Sequence, residues 1–245
     1  MKRLCVFIFA VTSLAACTSS TSEDAEKRPT TVTLLAYDAF TPEEGIFDEF
    51  TNITGITVKV VTGGDSGVLV SKAILTAGNP EGDVLWGVDN TMLSRAQQAS
   101  LLMSYEPVNT GDICINADKE WFASSDVPIP TRLEDLVLPQ YRGLLVTQDP
   151  VASSPGLGFL LGTIAHFGEG QWQKFWAALK GYAHIAPDWT TAYTIDFSGS
   201  SGNGKYPLVV SYGSSPPAEV LYADPSNPLT EPTTSVIEST CFRQT

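Results

Sequence analysis

An α/β fold of two lobes is what this 245-residue sequence predicts, on three observations. Short apolar strand-like runs alternate with helical stretches from residue 32 onward; the alternation pauses and restarts near residues 106–117; and Ser-Ser-Pro triplets after two of the strands mark helix starts. Strands alternating with helices argue for largely parallel sheets flanked by helices. In the first lobe the expected strands cover residues 32–36, 57–61 and 84–88. The expected helices cover 41–50, with Thr41 as cap and Pro42 at the first position, then 67–77 and 91–99. The second series opens with a strand-like stretch at 113–115 and a capping box at Thr131-Arg132-Leu133-Glu134. A strand at 144–147, helices over 156–167 and 171–179, and strand-like residues at 184–186 and 208–211 follow. Roughly 215 folded residues suffice for two small lobes. No internal repeat or coiled coil interrupts them.

The first segment addresses the protein. Lys2 and Arg3 precede an apolar run over residues 4–16, too short to span a bilayer and closed by small residues, which reads as a secretory signal. Leu14-Ala15-Ala16-Cys17 resembles a bacterial lipobox, in which the cysteine becomes the lipidated N-terminus. Residues 18–31 are Ser/Thr-rich and charged, as a flexible tether would be. Without Lys2 and Arg3 the 14 basic residues become 12 against 27 acidic ones, a formal charge of about −15. Nucleic acid is excluded as a partner, and a small cationic ligand is favoured over an anionic macromolecule. Of the four cysteines, Cys5 leaves with the signal and Cys17 carries lipid. Cys114 and Cys241 remain as an even pair in an oxidising compartment, where a disulfide is the ordinary outcome. Neither stands in a metal-ligand spacing, so no metal is expected.

The triplets Ser153-Ser154-Pro155 and Ser214-Ser215-Pro216 each follow an apolar run and open a helix. Serine caps and proline at the first turn leave backbone N–H groups and hydroxyls at the helix start. Such a start suits anionic or polar ligand groups. Aromatic and hydroxyl residues stand at further positions after strands: Tyr37-Asp38, Gly63-Gly64-Asp65-Ser66-Gly67, Asp89-Asn90, Trp189 with Tyr193, and Tyr212. The carboxyl ends of strands in an open α/β sheet form the binding crevice, so these residues converge on one cleft. Stacking faces and hydroxyls together suit a flat, polar, cationic heteroaromatic ligand.

Catalysis finds no support. Gly64-Asp65-Ser66-Gly67 spells the nucleophile motif of trypsin-like proteases, but no histidine precedes Ser66 and the motif runs directly into a helix. His166 and His184 lie far downstream, with packing or surface roles expected of them. A P-loop, a dinucleotide fingerprint and a metal-ligand cluster are all missing from the sequence, and no cofactor is expected.

The residues resemble the thiamine-binding lipoproteins or periplasmic proteins of ABC transporters, within the solute-binding superfamily that also holds iron and polyamine binders. The resemblance lies in Leu35-Ala36-Tyr37-Asp38-Ala39-Phe40, Asp83-Val84-Leu85-Trp86-Gly87-Val88-Asp89-Asn90, Gln148-Asp149-Pro150 through Ser153-Ser154-Pro155-Gly156-Leu157-Gly158, and residues 208–216. It covers nearly all of residues 31–245. It implies a two-lobe type II periplasmic-binding-protein-like clamp, each lobe a mixed, mostly parallel sheet flanked by helices. Such a clamp closes on thiamine or a thiamine phosphate and delivers it to permease subunits, as a monomer held to the outer face of the membrane through Cys17. By the same resemblance Tyr37 and Trp189 are aromatic contacts, and Tyr212, Gly213, Ser214, Ser215 and Pro216 line the cleft. Ser66, Gly67, Ser153 and Ser154 hold the polar or phosphate end. Asp38 either balances the thiazolium charge or caps a helix. Another small solute such as iron or a polyamine, and a non-functional truncated fragment, stand as the alternatives, while an extracytoplasmic serine hydrolase is disfavoured.

The chain departs from that pattern in three places. No tryptophan follows the Tyr-Asp motif, where Thr41-Pro42-Glu43-Glu44 stands. The passage from Tyr105 to Gly111 is short, and the family's return to the first lobe does not follow Thr245, so the sequence reads as a truncated member. The expected organisation is a signal at 1–17, a tether at 18–30, an incomplete first lobe at 31–107, a hinge strand at 108–117, a second lobe at 118–235 and a second hinge strand at 236–245. If the two hinge strands are neighbours, Cys114 and Cys241 come within bridging distance.

Overall fold

The computed structural model describes residues 30–103, 107–200 and 202–245. The expected signal, Cys17 and nearly all of the expected tether lie outside the described residues. Two sheets organise the rest. The first holds β1 (Thr31–Ala36), β2 (Thr57–Thr62) and β3 (Val84–Leu85) in the order β2-β1-β3, all parallel. Val and Thr dominate β1 and β2, the residue types that fit a pleated, half-buried surface. Helices α1 (Asp48–Thr54), α2 (Ser66–Leu75) and α3 (Leu93–Gln98) follow the three strands in turn. Leu34, Ala36, Leu69, Val70, Met92 and Ala96 are buried in this lobe.

Two elements of the first lobe differ from the sequence expectation by more than two residues. The helix expected over 41–50 starts only at Asp48, because Gly45 sits at φ 80° and a left-handed residue cannot continue an α-helical turn. β3 ends at Leu85 and not at residue 88. Gly87 turns the chain at φ 100°, where an added Cβ would also strike the Tyr37 ring.

The second sheet holds β4 (Gly111–Asp118), β5 (Leu145–Gln148), β6 (Ala183–Ala186), β7 (Leu208–Tyr212) and β8 (Thr234–Gln244), ordered β6-β5-β7-β4-β8. β5 runs parallel to β6 and β7, whereas β4 runs antiparallel to β7 and β8. Four helices accompany it: α4 (Lys119–Ser124), α5 (Ser154–Phe167), α6 (Trp172–Leu179) and α7 (Ser215–Leu221). Both faces of the sheet are covered. Ile113, Ile115, Leu145, Leu208 and Val210 pack on one side with Phe159 and Phe175; Val146 and Val209 pack on the other with Ala192, Tyr193 and Phe197. Burial on both faces explains why β5 and β7 read as unbroken apolar runs.

The expected capping box is displaced by one residue. The segment winds as a 3-10 helix over Leu133–Val137, which brings Asp135 instead of Glu134 back over the start. The Thr131 and Arg132 amides donate to the Asp135 carboxylate at 2.9 and 3.2 Å, while Glu134 turns outward to His166 at 2.8 Å. The Arg132 guanidinium and these amides hold the Asp135 carboxyl below its ordinary value although burial opposes them.

β4 and β8 lie side by side, and the Asn90 amide of the first lobe donates to the Thr245 carbonyl at 3.0 Å. Cys114 and Cys241 are joined by a disulfide between these strands, with Cα atoms 4.2 Å apart, where the pairing register shifts between Ile113 and Ile115. Among the described residues, no helix is long and apolar enough to cross a membrane.

Candidate functional site

Every parallel strand delivers its carboxyl end to the same seam between the lobes. β1 leads into Tyr37, β2 into Asp65 at the cap of α2, and β3 through a short loop into Asp89. From the other side come Ser153-Ser154 after β5, Trp189 after β6 and Tyr212 at the end of β7. The seam is therefore a product of strand direction.

Asp65 works in both lobes. One carboxylate oxygen accepts the Ser66 amide at 2.6 Å, satisfying a free N–H of the first helical turn. The other accepts the Trp189 amide of the second lobe at 3.0 Å. Asp89 does the same: one oxygen accepts the Thr91 amide at 2.7 Å, and the other accepts the Ser154 hydroxyl across the seam. Ser154 in turn accepts the Gln244 side-chain amide at 2.6 Å, so the end of β8 joins the network. Neither carboxylate is paired with a lysine or arginine among the described residues.

The aromatic wall belongs to the second lobe. Trp189 stacks on Tyr193 with centroids 5.0 Å apart and planes 11° from parallel, and Tyr212 stands 6.2 Å away. The Trp189 indole N–H donates to Ser211 at 2.9 Å, the Ser211 and Ser215 hydroxyls share a 2.8 Å hydrogen bond, and Ser215 accepts the Tyr212 amide at 3.3 Å. Behind Tyr37, Phe40 packs on Trp86 at 5.5 Å, so an aromatic from β3's loop stands near the place where the expected tryptophan was missing.

Electrostatics bind the group together. Burial pushes the Tyr37 phenol up, a hydrogen bond with Trp86 opposes that, and the Asp65 charge adds to it. Burial raises Tyr212 further, well beyond the ordinary tyrosine range, helped by the charges of Asp65 and Asp89 and by Tyr37. Both phenols are neutral at physiological pH and serve as hydrogen-bonding faces.

The structure distributes the sequence-predicted residues unevenly. Tyr37, Ser66, Gly67, Ser153, Ser154, Trp189 and Tyr212 gather at the seam. The Gly67 and Val68 amides donate to the Ala152 carbonyl at 2.9 and 3.3 Å. Ser153 is wholly buried and its hydroxyl has no partner among the described residues, whereas a satisfied cap would have bonded a helix amide. Asp38 clasps the loop after β2, accepting the Gly64 amide at 2.9 Å and donating its own to the Gly64 carbonyl at 3.0 Å. It caps no helix. Gly213 donates to the Asp112 carbonyl at 2.7 Å and so turns toward β4; Ser214 is exposed, and Ser215 and Pro216 are buried beneath Tyr212.

Asp65 and Asp89 stand among the post-strand residues that the sequence brings to one cleft, but without a ligand role of their own. Asp65 lies three residues past β2 at the cap of α2, and Asp89 lies four residues past β3 and four before α3. Two surface hollows lie outside the seam, one beneath α2 beside Leu35, Lys72 and Glu81, the other between α5 and β8 beside Phe159 and Cys241. Among the described residues, no three His, Cys, Asp or Glu side chains group to hold a metal.

Solved proteins share this fold. A solved periplasmic thiamin binding protein superposes with a TM-score of 0.73 at 22% identity, over 87% of this chain and 70% of that one. Iron-bound HitA from Pseudomonas aeruginosa gives 0.64 at 21% identity, over 85% and 69%. The fold is that of the type II periplasmic binding proteins. In sequence, the thiamine-binding periplasmic protein of Brucella suis biovar 1 is 27% identical over 230 residues, covering 85% of this chain and 64% of the relative. That of Escherichia coli K12 is 25% identical over 211 residues, covering 78% and 62%. The chain thus spans somewhat less than two thirds of these relatives' length. The family model described as bacterial extracellular solute-binding protein matches residues 87–220. That match takes in more than half of the sequence, including Asp89, Ser154, Trp189 and Tyr212, and the chain belongs to the bacterial extracellular solute-binding protein family.

Proposed function

We propose that the protein is the solute-capturing component of an ABC importer, that its ligand is thiamine or a thiamine phosphate, and that it hands this ligand to membrane permease subunits. The observation that carries the ligand class is the seam itself. Two carboxylates, Asp65 and Asp89, face an aromatic wall of Trp189 and Tyr212 with Tyr37 opposite, and among the described residues no basic side chain pairs with them. Partly buried anions without a protein cation favour a cationic ligand, and stacked aromatic faces favour a flat one. A thiazolium joined to an aminopyrimidine meets both demands. Ser153, with its buried unpartnered hydroxyl at the start of α5, supplies a polar end for a hydroxyl or phosphate. The names of the relatives point to the same vitamin. Residues 1–17, with Cys17 as the lipid site, supply the expected anchorage outside the cytoplasmic membrane.

In this reading the chemistry is capture without reaction. Each lobe contributes one layer: carboxylates and Tyr37 from the first, Trp189, Tyr212 and the serines from the second. The ligand lies between these layers, and the clamp closes on it. Titration calorimetry with thiamine and thiamine monophosphate tests this. Binding is expected for at least one of them, and Asp65→Asn and Asp89→Asn are each expected to weaken it about ten- to hundredfold, the loss of a charge-assisted contact of about 1.5–3 kcal/mol. Binding of ferric ion or spermidine with no heat from either vitamin form overturns the ligand. Binding of none of these solutes overturns the capture role.

A further inference from the structure

We infer that Gly67 is the positioning residue for closure: its missing side chain is what allows the two lobes to meet at the seam. The inference rests on the two-lobed fold and not on which solute is bound. Gly67 is the second residue of α2 and is buried against the second lobe. An added Cβ would stand 2.7 Å from the Ala152 carbonyl oxygen, 2.8 Å from its carbon, and closer still to the Val151 carbonyl oxygen. All three are backbone atoms, so no side chain can swing away to make room. Real Cβ atoms essentially never approach so closely, and either the Val151-Ala152 loop or the whole lobe must move back.

The three atoms that an added Cβ would meet first all belong to the second lobe. Gly64, three residues earlier, lies at φ 80° and is needed for the turn. Gly67 has no such left-handed backbone, and glycine inside a helix costs about 0.5–1 kcal/mol relative to alanine. The local preference therefore runs against it. What it secures lies across the seam: the flush approach that lets the Gly67 and Val68 amides donate to the Ala152 carbonyl and puts Asp65 within 3.0 Å of the Trp189 amide. These bonds form at one end of α2, so a wedge at position 67 breaks them together. The first turn of α2 is thus a gasket, sealing the crevice edge with backbone on backbone.

Amide exchange followed by NMR on the full chain, with no solute added, tests this. The Trp189 amide is the reporter, since it belongs to the second lobe and its acceptor belongs to the first. In Gly67→Ala and Gly67→Val its exchange is expected to quicken by about tenfold or more, with the Val209 and Val210 amides of β7 unchanged. Gly78→Ala, at a site with nothing within 4 Å of the added Cβ, is expected to change neither. The radius of gyration from solution scattering is expected to rise in the two Gly67 variants only. If valine at 67 also loosens β7, the alanine variant decides. Unchanged Trp189 exchange and an unchanged radius of gyration in a Gly67 variant with an intact β7 overturn the proposal. Because no solute enters the experiment, its failure leaves the thiamine reading standing, and failure of that reading leaves this result standing.

Discussion

Tyr193 shows what a single buried side chain contributes to this protein. Its ring stacks on Trp189 and packs on Phe197, and its hydroxyl lies 3.4 Å from Glu219. Burial first, and then the Glu219 charge, push its phenol up to about 12. A raised tyrosine pKa means that the folded state holds its proton more tightly than the unfolded chain does. The stabilisation is complete below the unfolded value near 10 and is lost as pH rises from there through about 12. Unfolding midpoints in denaturant are therefore expected to fall between pH 10 and 12, and Tyr193→Phe is expected to flatten that fall. A midpoint independent of pH over this window would contradict the assignment. Glu219 is the counterpart on α7. It accepts the Thr233 amide and hydroxyl at 2.8 Å each and the Thr234 hydroxyl, so one buried carboxylate ties α7 to the start of β8.

Among the elements, α5 shows how glycine sets packing distance. A Cβ at Gly158 would stand 3.1 Å from Ile113, and one at Gly162 would stand 3.2 Å from Phe242, so the helix lies close over β4 and β8. Gly162→Val overfills that contact and is expected to cost about 1–3 kcal/mol, measured as a lower denaturation midpoint at unchanged m-value. A neutral result would mean that β8 gives way freely. The strand and helix pattern of β1, β2, α2, β5, α5 and β7 was legible because each of these elements agrees with its local composition. Where the structure departed, a left-handed glycine decided twice, at Gly45 and Gly87, and the sequence does not announce the sign of φ. Asp135 displaced Glu134 in the capping box because the segment chose three residues per turn. The π-helix over Thr191–Asp196 carries no such local signal. At the site, Tyr37, Trp189 and Tyr212 could be read from their places after strands. Asp65 and Asp89 could be brought to the cleft by the same rule, but their bonds to the facing lobe could not, a relation that no local pattern contains.

At the scale of the molecule the lobes are unequal. Both extended hydrophobic clusters belong to the second lobe. In the first, α1 buries no residue, and Ile53 and Leu75 are 76% and 86% exposed. Apolar surface left in water stabilises nothing, so the first lobe is expected to open at lower denaturant than the second. Amide exchange at rising urea is expected to release β2 and α1 before β4 and β7, and a hydrophobic dye is expected to bind over that range. Coincident loss of all four elements would show one cooperative unit. The Cys114–Cys241 bridge gives the second lobe a different kind of security. It spans 127 residues of sequence and joins β4, the first strand of that lobe, to β8, its last. A pull applied between the first lobe and Thr245 therefore travels across the sulfur–sulfur bond. The residues in between hang from that bond as a closed ring and bear none of the tension.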